Sequence, residues 1–136
     1  MSITQSASIV RVSANIATLL FGIVILIQLL LAAGVLPITM AWGGRQEILT
    51  PGLRIASVAS AIILGLFAYI IRHRAGLMGV EDISVWIKVL AWIVTAYMAF
   101  NTFTNLTSQS TTEKIVFVPI TSILTIVCFV VSISRQ

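Results

Sequence analysis

Charge is scarce in this sequence. Of 136 residues, eight are Lys or Arg, four are Asp or Glu and one is His, so charged residues make up 9%. A soluble domain carries about 25%. There is one cysteine, Cys128, which excludes an intramolecular disulfide and a CxxC redox pair. The single histidine, His73, excludes paired axial haem ligands across a bundle and a zinc-protease helix. Serines are present, but without a histidine nearby none forms a hydrolase triad. No acidic residue falls in the middle of an apolar stretch, which speaks against a proton-coupled carboxylate of the small multidrug exporter type. The sequence therefore offers no catalytic constellation, no metal-ligand set and no cofactor motif.

Apolar residues fill the space. They amount to 59% of the chain, and the mean hydropathy is +1.11. A small globule leaves a large share of its residues facing solvent, so a water-soluble fold of this size could not hide that surface. A disordered chain and a disulfide-rich secreted module are excluded by the same numbers. An integral membrane protein remains. The net charge of +4 and pI near 10.0 would suggest nucleic acid in a soluble protein. Here the basic residues are spread along the chain with no phosphate-tracking run, and they read as membrane anchors, with no nucleic acid partner.

Four apolar stretches, at about 12–35, 51–71, 84–104 and 112–133, each approach the roughly 20 residues that a helix needs to cross a bilayer. None shows the alternation of a barrel strand. Helices satisfy their own backbone groups in lipid, so the expected fold is all-α: an antiparallel bundle of four transmembrane helices, a single transmembrane domain over 1–136 with no soluble domain.

Local signals mark the ends. Thr50-Pro51 reads as an N-cap followed by proline at the first helical position. Ser110-Thr111-Thr112-Glu113 has capping-box spacing. Pro37 closes the first span, Gly76 and Gly79 loosen the second connection, and Pro119 predicts a kink in the fourth helix. The first stretch is longer than a 7–15-residue signal-peptide core, so it is read as a retained span. Arg11, Arg72, Arg74 and Arg135 share one side, with Lys88 just inside helix three; Arg45, Arg54 and Lys114 share the other. Positive-inside counting then puts both termini in the cytoplasm.

Polar residues within the spans fall into faces. Asn15, Thr18 and Gly22 in helix one, Ser57, Ala61, Gly65 and Ala68 in helix two, and Thr121, Thr125, Cys128 and Ser132 in helix four repeat at helical spacing. Such stripes are the ordinary glue of membrane bundles, turned toward neighbouring helices. Trp86 and Lys88 read as an interfacial anchor, the lysine reaching for headgroups. Asn105-Leu106-Thr107 matches a glycosylation sequon, but it lies at a helix end close to the bilayer.

Helix three differs. Tyr97, Asn101, Thr104 and Asn105 line one face of its outer half, and amides at i, i+4 are costly to expose to lipid. Arg54 and Glu113 fall at the same level, and the first connection adds Trp42-Gly43-Gly44-Arg45, whose adjacent glycines permit a tight turn back over the bundle. Two readings stand. In one, this is a capped bundle end, with Arg54 or Arg45 paired to Glu113 and the asparagines bonding loop carbonyls. In the other, it is a pocket built from Trp42, Arg45, Arg54, Tyr97, Asn101, Asn105 and Glu113. There the arginines would take an anionic group, the amides would orient the ligand and the aromatics would supply an apolar wall.

These residues carry a resemblance. Trp42-Gly43-Gly44-Arg45 after the first span, Asn101-Thr102 with Asn105-Leu106 closing the third, and Glu113-Lys114 with Pro119 opening the fourth form a set. The set resembles a family of small bacterial integral membrane proteins with four helices and the same order of motifs. The resemblance covers essentially the whole chain. It implies a home in the bacterial inner membrane and brings no established activity. The expected function is a lipid- or small-molecule-binding accessory protein with a polar pocket at the outer end, its partners membrane lipids or a small amphipathic ligand. The alternative is a subunit of an oligomeric small transporter or channel, which would assemble as a homo-oligomer because four helices enclose only a narrow path.

Overall fold

Three of the helices in this chain begin where a hydroxyl side chain meets an unpaired backbone N–H. Thr50 Oγ1 accepts from Leu53 N at 3.2 Å, Ser84 Oγ from Ile87 N at 3.3 Å, and Ser110 Oγ from Glu113 N at 3.1 Å. Each closes one of the four donors that a helix start leaves open. The computed structural model describes residues 3–134, all-helical apart from turns and connections. Its helices are α1 (Ile3–Ala33), α2 (Pro51–Arg74), α3 (Val85–Leu106) and α4 (Thr111–Ile133). All four are long and apolar enough to cross a membrane. Arg135, counted among the basic residues of one side, lies outside the described residues.

Helix bounds differ from the apolar stretches in an instructive way. Helix α1 starts at Ile3, nine residues before its apolar run, and α2 continues through Arg72-His73-Arg74, which were expected in the connection. Hydropathy finds the part of a helix that lipid would cover, whereas the helix itself runs on while its backbone bonds can form. The basic last turn of α2 also faces the negative end of the helix dipole, which favours cations there. Helix α4 runs as one helix from Thr111 to Ile133, with Pro119 inside it.

The core lies on the bundle axis. Ala14, Ala17 and Phe21 of α1, Ile71 of α2, Ala91 and Val94 of α3, and Leu124, Cys128 and Val131 of α4 are almost wholly enclosed. The alanines let backbones approach, and Phe21 fills the space that they leave, its ring 6.3 Å from that of Phe67. Helix α1 packs chiefly against α2, and α3 against α4; the seam between α2 and α3 is shorter than either.

Only one of the three expected stripes faces inward along its length. On α4, Thr121, Cys128 and Ser132 are buried and Thr125 half-buried. On α2, Ser57 and Ala61 are buried, but Gly65 is exposed and Leu64 takes the inward place. On α1, Asn15 and Gly22 are exposed and the buried face is Val10, Ala14, Ala17 and Phe21. Asn15 and Thr18 instead form a berth for Arg72, whose Nη1 donates to Asn15 Oδ1 at 3.1 Å and to Thr18 Oγ1 at 3.2 Å. Nearby, Arg74 donates to the Ser134 carbonyl at 2.5 Å and to that of Ser132 at 3.4 Å, tying the end of α2 to the end of α4.

Hydroxyl pairs link α3 and α4, and their protons can be traced. Thr95 donates to the Ala91 carbonyl at 3.0 Å, so the 3.0 Å bond between Thr95 and Ser132 uses the serine proton. Thr102 and Thr125 lie 3.4 Å apart, but each donates to a carbonyl of its own helix, which leaves no proton between them. That second pair is a contact rather than a bond.

Candidate functional site

The first connection folds back over the end of the bundle. Trp42, Gly43 and Gly44 all have positive φ, at 57°, 80° and 74°, so the chain makes a left-handed turn there. Glycine accepts that conformation freely, whereas a bulky side chain in it costs about 1–3 kcal/mol and must be held. Two bonds hold the turn. Gln109 N donates to the Gly43 carbonyl at 3.0 Å, and Trp42 Nε1 donates to Ser57 Oγ at 3.4 Å. Gly44 lies against Ser110, the residue that caps α4, leaving no room for a side chain.

Beneath this turn is a cavity of about 370 Å³ reached by all four helices. Its inner wall is apolar and buried: Val24, Leu64, Met98 and Phe117, with Thr121 among them. Its exposed edges are Trp42 of the turn, Ile63 of α2, and Tyr97 and Phe100 of α3. The mouth therefore opens between α2 and α3, whose seam is shorter than those of α1 with α2 and of α3 with α4. Tyr97 meets Phe67 edge-on, ring centroids 5.1 Å apart, and closes the seam on the side away from the turn.

Polar groups gather toward the turn. Glu113 and Asn105 are each 6% exposed, and Gln28, Ser60, Asn101 and Thr104 are half-buried around them. Glu113 Oε2 accepts from Ser108 Oγ at 2.6 Å, and Ser108 Oγ in turn accepts from Ser110 N at 3.0 Å. The expected capping box is thus present with an inserted hydroxyl: Glu113 reaches the start of its own helix through Ser108 rather than directly. Its partner is that serine and not Arg45 or Arg54. Thr104 donates to the Asn101 carbonyl at 2.9 Å. The Asn105 side-chain amide makes no hydrogen bond, and Gln28 Oε1 is buried without a partner. Buried polar groups are normally paired, so the unmet Gln28 oxygen in this lining is unusual.

Five of the seven residues singled out from the sequence line this cavity: Trp42, Tyr97, Asn101, Asn105 and Glu113. Arg45 and Arg54 do not. Arg45 is exposed beyond the turn. Arg54 stands over the C-terminal end of α1, where a Cβ added to Gly34 would lie 3.9 Å from its Nη2, and it borders a separate apolar groove with Ala32 and Ile55. A cation is well placed at a helix C-terminus, which accounts for Arg54 without a ligand.

Sequence reasoning missed Gln28, Ser60 and Ser108. Gln28 carried a signal, being the one carboxamide in the outer half of an otherwise apolar helix. Ser60 and Ser108 carried none, because isolated serines are common in membrane helices and loops. As a chemical environment the cavity can orient and bind; its lining contains no nucleophile with an adjacent base. Among the described residues no three His, Cys, Asp or Glu side chains come together to hold a metal ion. Comparison with protein families, curated proteins and solved structures gives no match to this chain.

Proposed function

We propose that the protein is an integral membrane binding protein whose cavity takes the polar end of a lipid or small amphipathic molecule. The ligand enters sideways, through the mouth between α2 and α3, and its apolar part stays against Ile63, Phe100 and the surrounding lipid. The observation that carries this reading is the coincidence of space with unmet hydrogen bonding. A cavity of about 370 Å³ is lined by Gln28, whose Oε1 is buried without a partner, by Asn105, whose side chain makes no hydrogen bond within the protein, and by an apolar wall. Pockets for small amphipathic molecules combine an apolar lining with a few convergent polar groups, at about 300–1,000 Å³.

The membrane setting of this proposal is an antiparallel bundle in a bacterial cytoplasmic membrane, in keeping with the resemblance carried by the loop and helix-end motifs. Both termini face the cytoplasm on the positive-inside count, which puts the cavity in the outer half of the bilayer. The Arg72–Asn15 bond supports neighbouring α1 and α2 running in opposite directions, since it joins the last turn of α2 to the first half of α1.

Native mass spectrometry from a mild detergent tests the reading. The wild type is expected to retain a lipid or metabolite, and two variants are expected to lose it: Asn105→Leu, which removes the free amide, and Ser60→Phe, which fills the space. Equal retention in both variants, with their folds intact by circular dichroism, overturns the cavity as the binding site.

A further inference from the structure

The polar end of the cavity has a sign. Glu113 is the one side chain lining it with a formal charge, and no Lys, Arg or His lines it. Glu113 as a residue is 6% exposed, and the one partner of its carboxylate is a serine hydroxyl. A buried carboxylate is normally paired with a cation or several donors, because taking it out of water is expensive. In the same lining Gln28 Oε1 is a buried acceptor with nothing donating to it, and the Asn105 side chain makes no hydrogen bond within the protein. The cavity therefore holds a carboxylate and an unmet buried acceptor with no cation in its lining, and what it lacks is a cation that donates.

From this we infer that the ligand head is a primary ammonium group carried on an apolar chain. The inference rests on the cavity being a ligand site and names what that site selects. An ammonium has three N–H donors and no acceptor, which matches Glu113, Gln28 and Asn105. Trp42 and Tyr97 stand at the mouth, and aromatic faces attract cations. The left-handed φ of 57° at Trp42 fits this role, since a strained backbone at a bulky residue persists only where the surroundings hold it in place. An anionic head finds no cation there, since neither Arg54, over the end of α1, nor the exposed Arg45 lines the cavity.

Two sources share this chemistry, a lipid with an ethanolamine headgroup and a free amphipathic amine. Wild-type protein is titrated with dodecylammonium, dodecanol and dodecanoate, equal in chain length, and bound probe is counted by native mass spectrometry. Dodecylammonium should bind about tenfold more tightly than dodecanol, and dodecanoate more weakly than either. That preference should vanish in Glu113→Gln and persist in Glu113→Asp, a variant that keeps the charge. Ejection from nanodiscs of mixed phosphatidylethanolamine and phosphatidylglycerol separates the sources: retained phosphatidylethanolamine assigns a lipid, and amine preference without it assigns a free amine. Equal binding of dodecanol and dodecylammonium by the wild type overturns the ammonium head while leaving the cavity a binding site. Absence of all probe binding, with Ser60→Phe indistinguishable from wild type, overturns both.

Discussion

Gly44 and Ser110 are separated by 66 residues of sequence, yet a Cβ on Gly44 would lie 2.6 Å from the Ser110 backbone nitrogen and 2.7 Å from its Cβ. The first connection is therefore seated on the residue that caps α4, and Ser110 serves two neighbours at once. It starts its helix, through the bond to Glu113 N, and it supports the roof of the cavity. The roof and the charged wall share one anchor.

That contact separates two adjacent glycines experimentally. Gly43→Ala meets nothing within 4 Å and pays only for its left-handed backbone, about 1–2 kcal/mol. Gly44→Ala adds a collision with backbone atoms and should cost about 2–4 kcal/mol. Thermal unfolding in detergent is expected to rank wild type above Gly43→Ala and Gly43→Ala above Gly44→Ala. Equal melting temperatures for the two variants would show that the turn does not rest on α4.

Ser108 joins two groups that would otherwise be left without a partner. Ser108→Ala takes the acceptor from Ser110 N and the donor from the Glu113 carboxylate, in a place where Ser108 itself is 5% exposed. Loss of about 2–3 kcal/mol is expected, because a buried polar group without its partner bears most of its desolvation cost. Ser110→Ala removes a single N-cap bond and should cost about 1 kcal/mol. The order of the two melting temperatures is the measurement; a Ser108→Ala variant as stable as Ser110→Ala would deny the relay to Glu113.

At the opposite end, Arg72 binds across from α2 to the exposed oxygen of Asn15. A double-mutant cycle of Asn15→Ala and Arg72→Gln is expected to give a coupling of about 0.5–1.5 kcal/mol, in the range of a hydrogen bond to a charged donor in a polar setting. Stability of the four proteins in detergent supplies the cycle. Strict additivity would mean that Arg72 finds equivalent partners elsewhere.

Local features were legible in the amino-acid order alone. Four stretches of sufficient length gave four long helices, the caps at Thr50 and Ser110 formed where their spacing placed them, and the paired glycines made the tight turn. These follow from backbone bonding and side chains within a few residues of one another. Which face of each helix turns inward was decided by tertiary structure. In a chain that is apolar all round, hydropathy does not orient a helix, so Gly22 and Gly65 face outward despite their stripes while Gln28 faces the cavity. The same holds for the scarce charges. Their level along the bundle was legible, and brought Arg54 and Glu113 to one end. Packing then sent Arg54 to the end of α1 and left Glu113 alone in the cavity, because a guanidinium and a carboxylate at one height meet only if their helix faces converge.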